Sequence, residues 1–107
     1  MSDDVLLQLA ATISARRAAA PDSSYTRQLL DAGPARCAKK LGEEAIEAVI
    51  AGVGESDQAL KEEAADLLYH LLVLLESRGV AIADVLDVLE KRGGVSGLKE
   101  KAERGKR

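Results

Sequence analysis

The stretch KKLGEEAIEAVIAGVGESDQALKEEAADLLYHLL, residues 39–72, decides how this chain folds. It carries two acidic signatures, Glu43-Glu44-x-x-Glu47 and, further on, Glu63-x-x-Asp66, each embedded in apolar sequence. Residues three and four apart share one face of an α-helix, so each signature crowds like charges that repel by about 0.2–0.5 kcal/mol per pair. The pattern therefore predicts two helices whose acids need a positive partner. A hard divalent cation, which prefers oxygen ligands, is the simplest one.

At roughly 100° per residue, Leu41 shares the main apolar stripe of the first of these helices with Ala38, Ala45, Ala48 and Val49. Glu43, Glu44 and Glu47 share a separate arc with Lys40 and Arg36, and Ile46 and Ile50 flank its other edge. On the second helix Glu63, Asp66 and His70 fall in one arc. Antiparallel packing would bring the two acidic arcs face to face. Beyond Asp66 the run Leu67 to Leu75 is apolar nearly all round, more than a small monomer can cover, which predicts a homodimer whose partner packs against this segment.

Mg²⁺ keeps several waters and joins one or two carboxylates to substrate phosphates, so a di- or triphosphate suits such a cleft. Arg36, Lys39 and Lys40 supply positive charge for the remaining phosphate oxygens, although Lys39 points away from the acidic arc. The available chemistry is metal-assisted hydrolysis, with Glu43 or Glu44 accepting the proton of the attacking water. A di-iron bundle needs Glu-x-x-His on each of two helices, and this chain has one histidine. A lone Cys37 and a lone His70 make a poor zinc set. His70 fits either a hydrogen bond to carboxylate or phosphate, or a satisfied core position; the core reading is preferred.

Composition agrees with helices. The 107 residues suit a single domain spanning 1–107, rich in Ala, Leu, Glu and Lys, with no Phe, no Trp and only Tyr25 and Tyr69. No apolar run is long enough to span a membrane and no export signal opens the chain, which points to the cytoplasm. Cys37 reads as a small core residue. Residues 1–90 hold 8 basic and 16 acidic side chains, and residues 91–107 hold 7 and 2. An acidic body with almost no aromatic surface argues against nucleic-acid binding; the basic tail of Lys99, Lys101, Arg104, Lys106 and Arg107 suits phosphate, acidic neighbours or plain solvent.

The rest of the chain fills in around that hairpin. Ser2, Asp3 and Asp4 cap an amphipathic helix that runs through Val5, Leu6, Leu9 and Ile13 to Ala18-Ala19-Ala20. Residues 21–33 read as a loop with one turn near Gln28 to Leu30, whose Ser, Thr and Arg suit phosphate or sugar contacts. Pro34 opens the first acidic helix, which ends near Gly52 and Gly54; Ser56 or Asp57 caps the second, which stops at Arg78-Gly79. Asp84 to Arg92 form a further helix with Val85, Leu86, Val88 and Leu89 inward, and Gly97 leads to a short charged end. The fold expected is an all-α bundle of four to five helices, completed by homodimerisation.

Three segments carry a family likeness: Lys39-Lys40-Leu41-Gly42-Glu43-Glu44-Ala45-x-Glu47, Glu62-Glu63-Ala64-Ala65-Asp66-Leu67-Leu68-Tyr69-His70-Leu71-Leu72, and Gly94-Val95-Ser96-Gly97-Leu98-x-Glu100-Lys101-Ala102. Together they resemble the phosphoribosyl-ATP pyrophosphatases of histidine biosynthesis, within the MazG-like all-α nucleotide pyrophosphohydrolases. The resemblance implies Glu44, Glu47, Glu63 and Asp66 as Mg²⁺ ligands with Glu43 a nearby carboxylate. It also covers the Ser24-Tyr25-Thr26 segment, which adds Tyr25 to the candidate substrate contacts. The activity it implies is hydrolysis of 1-(5-phosphoribosyl)-ATP to the AMP form and pyrophosphate, beside the phosphoribosyl-AMP cyclohydrolase of the next step. The acidic pattern alone also fits a housekeeping pyrophosphatase of free nucleoside triphosphates, or a helical dimerisation or nucleotide-sensing module without turnover. Cys37 stands where the family more often has an aliphatic residue, and Ala81-Ile82-Ala83 offers the last helix no good cap.

Overall fold

A computed structural model describes residues 3–93. Their regular structure is helical: α1 (Asp3–Ala15), α2 (Tyr25–Ala32), α3 (Pro34–Gly54), α4 (Asp57–Ser77) and α5 (Ile82–Gly93), with 3-10 turns at Arg16–Ala18 and Pro21–Ser23. No strand occurs among the described residues, and none of their helices is long and apolar enough to cross a membrane. The segment Gly94 to Ala102, the basic tail beyond it and the cap at Ser2 lie outside the described residues.

α3 and α4 form the predicted antiparallel hairpin. Only Glu55 and Ser56 separate them, too few residues for any other course. The Ser56 hydroxyl accepts the Ala59 N–H at 3.1 Å and caps α4, as its place in the sequence suggests. The other end of α4 closes as expected at Arg78-Gly79. Gly79 takes φ 69°, its N–H donates to the Glu76 carbonyl, and the Val80 N–H reaches back to the Leu75 carbonyl at 2.9 Å. A glycine in that left-handed conformation satisfies the last carbonyls without a Cβ clash.

Residues 21–33 are not a loop. Ser24 accepts the Arg27 N–H at 3.1 Å and starts α2; Gly33, at φ 95°, ends it and lets Pro34 begin α3 at once. Leu29 and Leu30 are the buried face of this short helix. The polar side chains read as phosphate or sugar contacts are already committed. Ser24 is the cap, and the Thr26 hydroxyl meets the Tyr69 hydroxyl at 2.5 Å. Arg27 donates to the carbonyls of Arg17 and Ala19 and pairs with Asp31. Arg17 in turn pairs with Glu76, so two arginines strap the 3-10 segment across the end of α4.

The core gathers Ile13, Leu29, Leu30, Cys37, Leu72, Val73 and Ile82, with Leu6, Leu9, Tyr69, Leu75, Val85 and Leu86 packed against it. Cys37 is a core residue as expected; its thiol is buried and donates to the Leu29 carbonyl at 3.3 Å. α5 starts at Ile82 rather than Asp84, because burying Ile82 in this core compensates for the missing cap. Val88 and Leu89 are exposed, against the expectation that they face inward.

The inward seam of α3 is Cys37, Leu41, Glu44, Ala48 and Ala51, all buried or half-buried at a three-four spacing. Ala38 and Val49, placed on the inward stripe by the sequence, are exposed. The reason is that α3 has two apolar faces. The second, Ile46, Val49, Ile50 and Val53, is 54–86% exposed and continues the same three-four spacing on the outside of the hairpin.

Candidate metal centre

Because Glu44 sits on the inward seam of α3, it faces α4 rather than solvent. Glu63 and His70 lie seven apart on the facing side of α4, with Asp66 at its edge. The two acidic signatures thus meet across the hairpin. One carboxylate oxygen from each of Glu44, Glu63 and Asp66 lies within 4.8 Å of the other two.

The electrostatics of this group are unfavourable as they stand. Burial first, then repulsion from Glu47, Asp66 and Glu63, raises the Glu44 carboxyl above the ordinary carboxylate range. Burial and then Glu47 and Asp66 likewise raise Glu63. Glu63 Oε2 is fully buried and lacks a hydrogen-bond partner among the described residues. A buried carboxylate oxygen without a donor is costly, and here the neighbours are more carboxylates. A hard cation ligated only by oxygen fits this set and reverses its electrostatics.

The remaining predicted residues surround the trio. Glu47 is exposed and outside the close group of three, yet near enough to Glu44 and Glu63 to raise both. Glu43 lies outside the close group of three and pairs with Lys40 at 3.2 Å. The Lys40 ammonium is held above its usual range, first by that bond and then by Tyr25, which places the start of α2 beside the basic residue nearest the acids. Arg36 and Lys39 are exposed on α3 and form no ion pair with Glu44, Glu63 or Asp66.

His70 is buried, in line with the core reading, but it is not satisfied. Its Nδ1 has no partner among the described residues, and Nε2 stands 4.0 Å from Glu44 Oε1. Burial and the Lys40 charge push the imidazole down from its ordinary value, so near neutral pH this is not an ion pair. The ring is packed edge-on to Tyr69 at 4.9 Å and to Tyr25 at 6.3 Å. Tyr69 and Thr26 join the site in a role their local sequence does not announce: Thr26, expected to meet phosphate or sugar, meets the Tyr69 hydroxyl instead. The signal that could have found them is the start of α2, where Ser24 two residues before Thr26 is a recognisable cap.

The fold and this cluster define a helical protein with an oxygen-only centre suited to a hard divalent cation. Comparison with known proteins then gives the family. The profile of phosphoribosyl-ATP pyrophosphohydrolase matches residues 6–93. A phosphoribosyl-ATP pyrophosphatase of Dinoroseobacter shibae is 57% identical over 100 residues, covering 94% of this chain and 98% of its own. Proteins of the same name from Jannaschia sp. and Nitrobacter winogradskyi are 56% and 55% identical, each over 92% of this chain and over 97% and 84% of their own. The chain belongs to the phosphoribosyl-ATP pyrophosphohydrolase family.

Proposed function

We propose that this protein hydrolyses 1-(5-phosphoribosyl)-ATP to 1-(5-phosphoribosyl)-AMP and pyrophosphate, the second step of histidine biosynthesis, in a Mg²⁺-dependent reaction. Identity above half over nearly the full length to phosphoribosyl-ATP pyrophosphatases carries the substrate. The observation that carries the chemistry is the trio Glu44, Glu63 and Asp66, drawn together with one Glu63 oxygen buried and unpartnered among the described residues.

Glu44, Glu63 and Asp66, with Glu47 beside them, would hold the metal. When bound, a divalent cation neutralises charge on the phosphates and their leaving group and lowers the pKa of a bound water. Glu43, left outside the close trio and held by Lys40, takes the proton of the attacking water. The water oxygen bonds to one phosphorus of the α–β anhydride, the bridging P–O bond breaks with its electron pair going to the departing phosphate group, and the products are the AMP form and pyrophosphate. Lys40 and Tyr25, side by side at the edge of the acids, and Arg36 and Lys39 further along α3 bind the substrate.

The single domain, 1–107, works as a homodimer in the cytoplasm. Its partner covers Ile46, Val49, Ile50 and Val53 of α3, together with Leu60 and Leu68 of α4, all exposed here; the Leu67–Leu75 run expected to meet it is, apart from Leu68, already buried or half-buried within one chain. The product is the substrate of the phosphoribosyl-AMP cyclohydrolase, the functional neighbour this reading implies.

Turnover of phosphoribosyl-ATP beside dCTP, dUTP and ATP tests the assignment. Phosphoribosyl-ATP is expected to be the preferred substrate by kcat/KM, with no product in excess chelator. Equal or greater turnover of the free triphosphates would make this a housekeeping pyrophosphatase; no turnover of any would leave a binding module.

A further inference from the structure

We infer that His70 is a positioning residue for the metal centre: its Nε2–H donates to Glu44 and holds that carboxylate turned toward Glu63 and Asp66. The inference rests on the metal reading above and adds a residue that is neither a metal ligand nor a substrate contact.

The ring has little freedom. His70 is 6% exposed, lies edge-on to both Tyr69 and Tyr25, and leaves Nδ1 buried with no partner among the described residues. A neutral imidazole carries one N–H donor and one acceptor nitrogen. Placing the proton on Nδ1 would bury a donor with nothing to receive it and turn the bare Nε2 lone pair on a carboxylate. Placing it on Nε2 aims the donor at Glu44 Oε1, 4.0 Å away. A shift of about 1 Å in the flexible Glu44 side chain brings the pair into hydrogen-bond range.

The histidine is itself held from behind. Tyr69 is fixed by the 2.5 Å contact between its hydroxyl and that of Thr26, which joins α4 to the first turn of α2. Thr26, Tyr69, His70 and Glu44 therefore line up from α2 to the acidic trio, with the 4.0 Å step from His70 to Glu44 the one link left to close. Tyr25 touches the ring of His70 from the same turn. Residues behind a metal ligand orient it, and their loss typically costs about ten- to hundredfold in metal affinity.

The test is Mn²⁺ binding to the substrate-free protein, read by EPR of the free ion, in wild type, His70→Phe and His70→Gln. Phenylalanine keeps a ring between the tyrosines and removes both nitrogens, whereas glutamine can place an amide N–H near the Nε2 position. The expected result is a Kd raised roughly ten- to hundredfold by His70→Phe and largely restored by His70→Gln. Equal affinity in wild type and His70→Phe overturns the inference. A wild type that binds no Mn²⁺, or Glu63→Gln binding as tightly as wild type, overturns the metal reading instead. If His70→Phe loses its helicity by circular dichroism, long-range ¹H–¹⁵N NMR of the wild-type imidazole decides. A proton on Nε2 whose nitrogen shift moves on adding Mg²⁺ supports the role, and a proton on Nδ1 overturns it.

Discussion

Replacing Glu63 by Gln lowers the rate of pyrophosphate release by about a hundredfold or more while the protein keeps its helices. A bound metal ion contributes several kcal/mol of transition-state stabilisation, and each 1.4 kcal/mol is about tenfold in rate. Losing one charged ligand from a trio of three removes much of that. The fold survives because Glu63 belongs to the acidic seam and not to the cluster of Ile13, Leu29, Leu30, Cys37, Leu72, Val73 and Ile82. Without metal, the variant gains stability. The Glu63 carboxyl is raised in the folded state by burial and by its acidic neighbours, so its favourable contribution is present below the ordinary carboxylate pKa and lost as pH rises through the folded value. Glutamine carries no charge at any pH. Metal-free Glu63→Gln should therefore melt above metal-free wild type at pH 7.5, with the gap narrowing toward pH 4.5. Unfolding of the variant would mean that Glu63 is a structural acid, and full activity in it would mean that Glu63 holds no catalytic metal.

Ile50→Asp turns the proposed dimer into a monomer. Ile46, Val49, Ile50 and Val53 are 54–86% exposed along one line of α3, an apolar stripe of the kind that pairs helices. Each buried isoleucine is worth about 1.5–3 kcal/mol, and a twofold interface counts the change twice. Burying a carboxylate in its place adds a further desolvation cost on both sides. The sum exceeds about 4 kcal/mol, or roughly a thousandfold in Kd. Sedimentation velocity should give a dimer for wild type and a monomer for Ile50→Asp at the same micromolar concentration, with unchanged helicity per residue. A monomeric wild type, or an unshifted variant, would rule out a dimer built on this face.

The hairpin of α3 and α4 is legible in the sequence because like charges at one-turn spacing inside apolar segments repel unless a cation or a facing site holds them, and because Ser56 and Arg78-Gly79 mark its ends. α2 is not legible from periodicity. It is eight residues long with one apolar pair, too short to show a 3.6-residue repeat. Only its caps, Ser24 and Gly33, announce it. The inward stripe of α3 falls one step away from its expected place because two apolar faces lie on one helix, and a helical wheel does not distinguish the face that meets α4 from the other. The start of α5 at Ile82 follows from tertiary burial, which local capping rules do not see. Among the acids, the meeting of Glu44, Glu63 and Asp66 follows from their spacing. The aromatic clamp around His70 does not, since it depends on where α2 comes to rest.

Whether Glu44, Glu63 and Asp66 share one cation decides the chemistry of this protein. Crystals grown with Mn²⁺ and measured at an anomalous wavelength give the answer by direct observation. The expected result is a peak at about 2.1 Å from carboxylate oxygens of all three side chains, close to the distance Mg²⁺ keeps to oxygen. Ordered protein at saturating Mn²⁺ with no peak among those three side chains would contradict a shared metal centre.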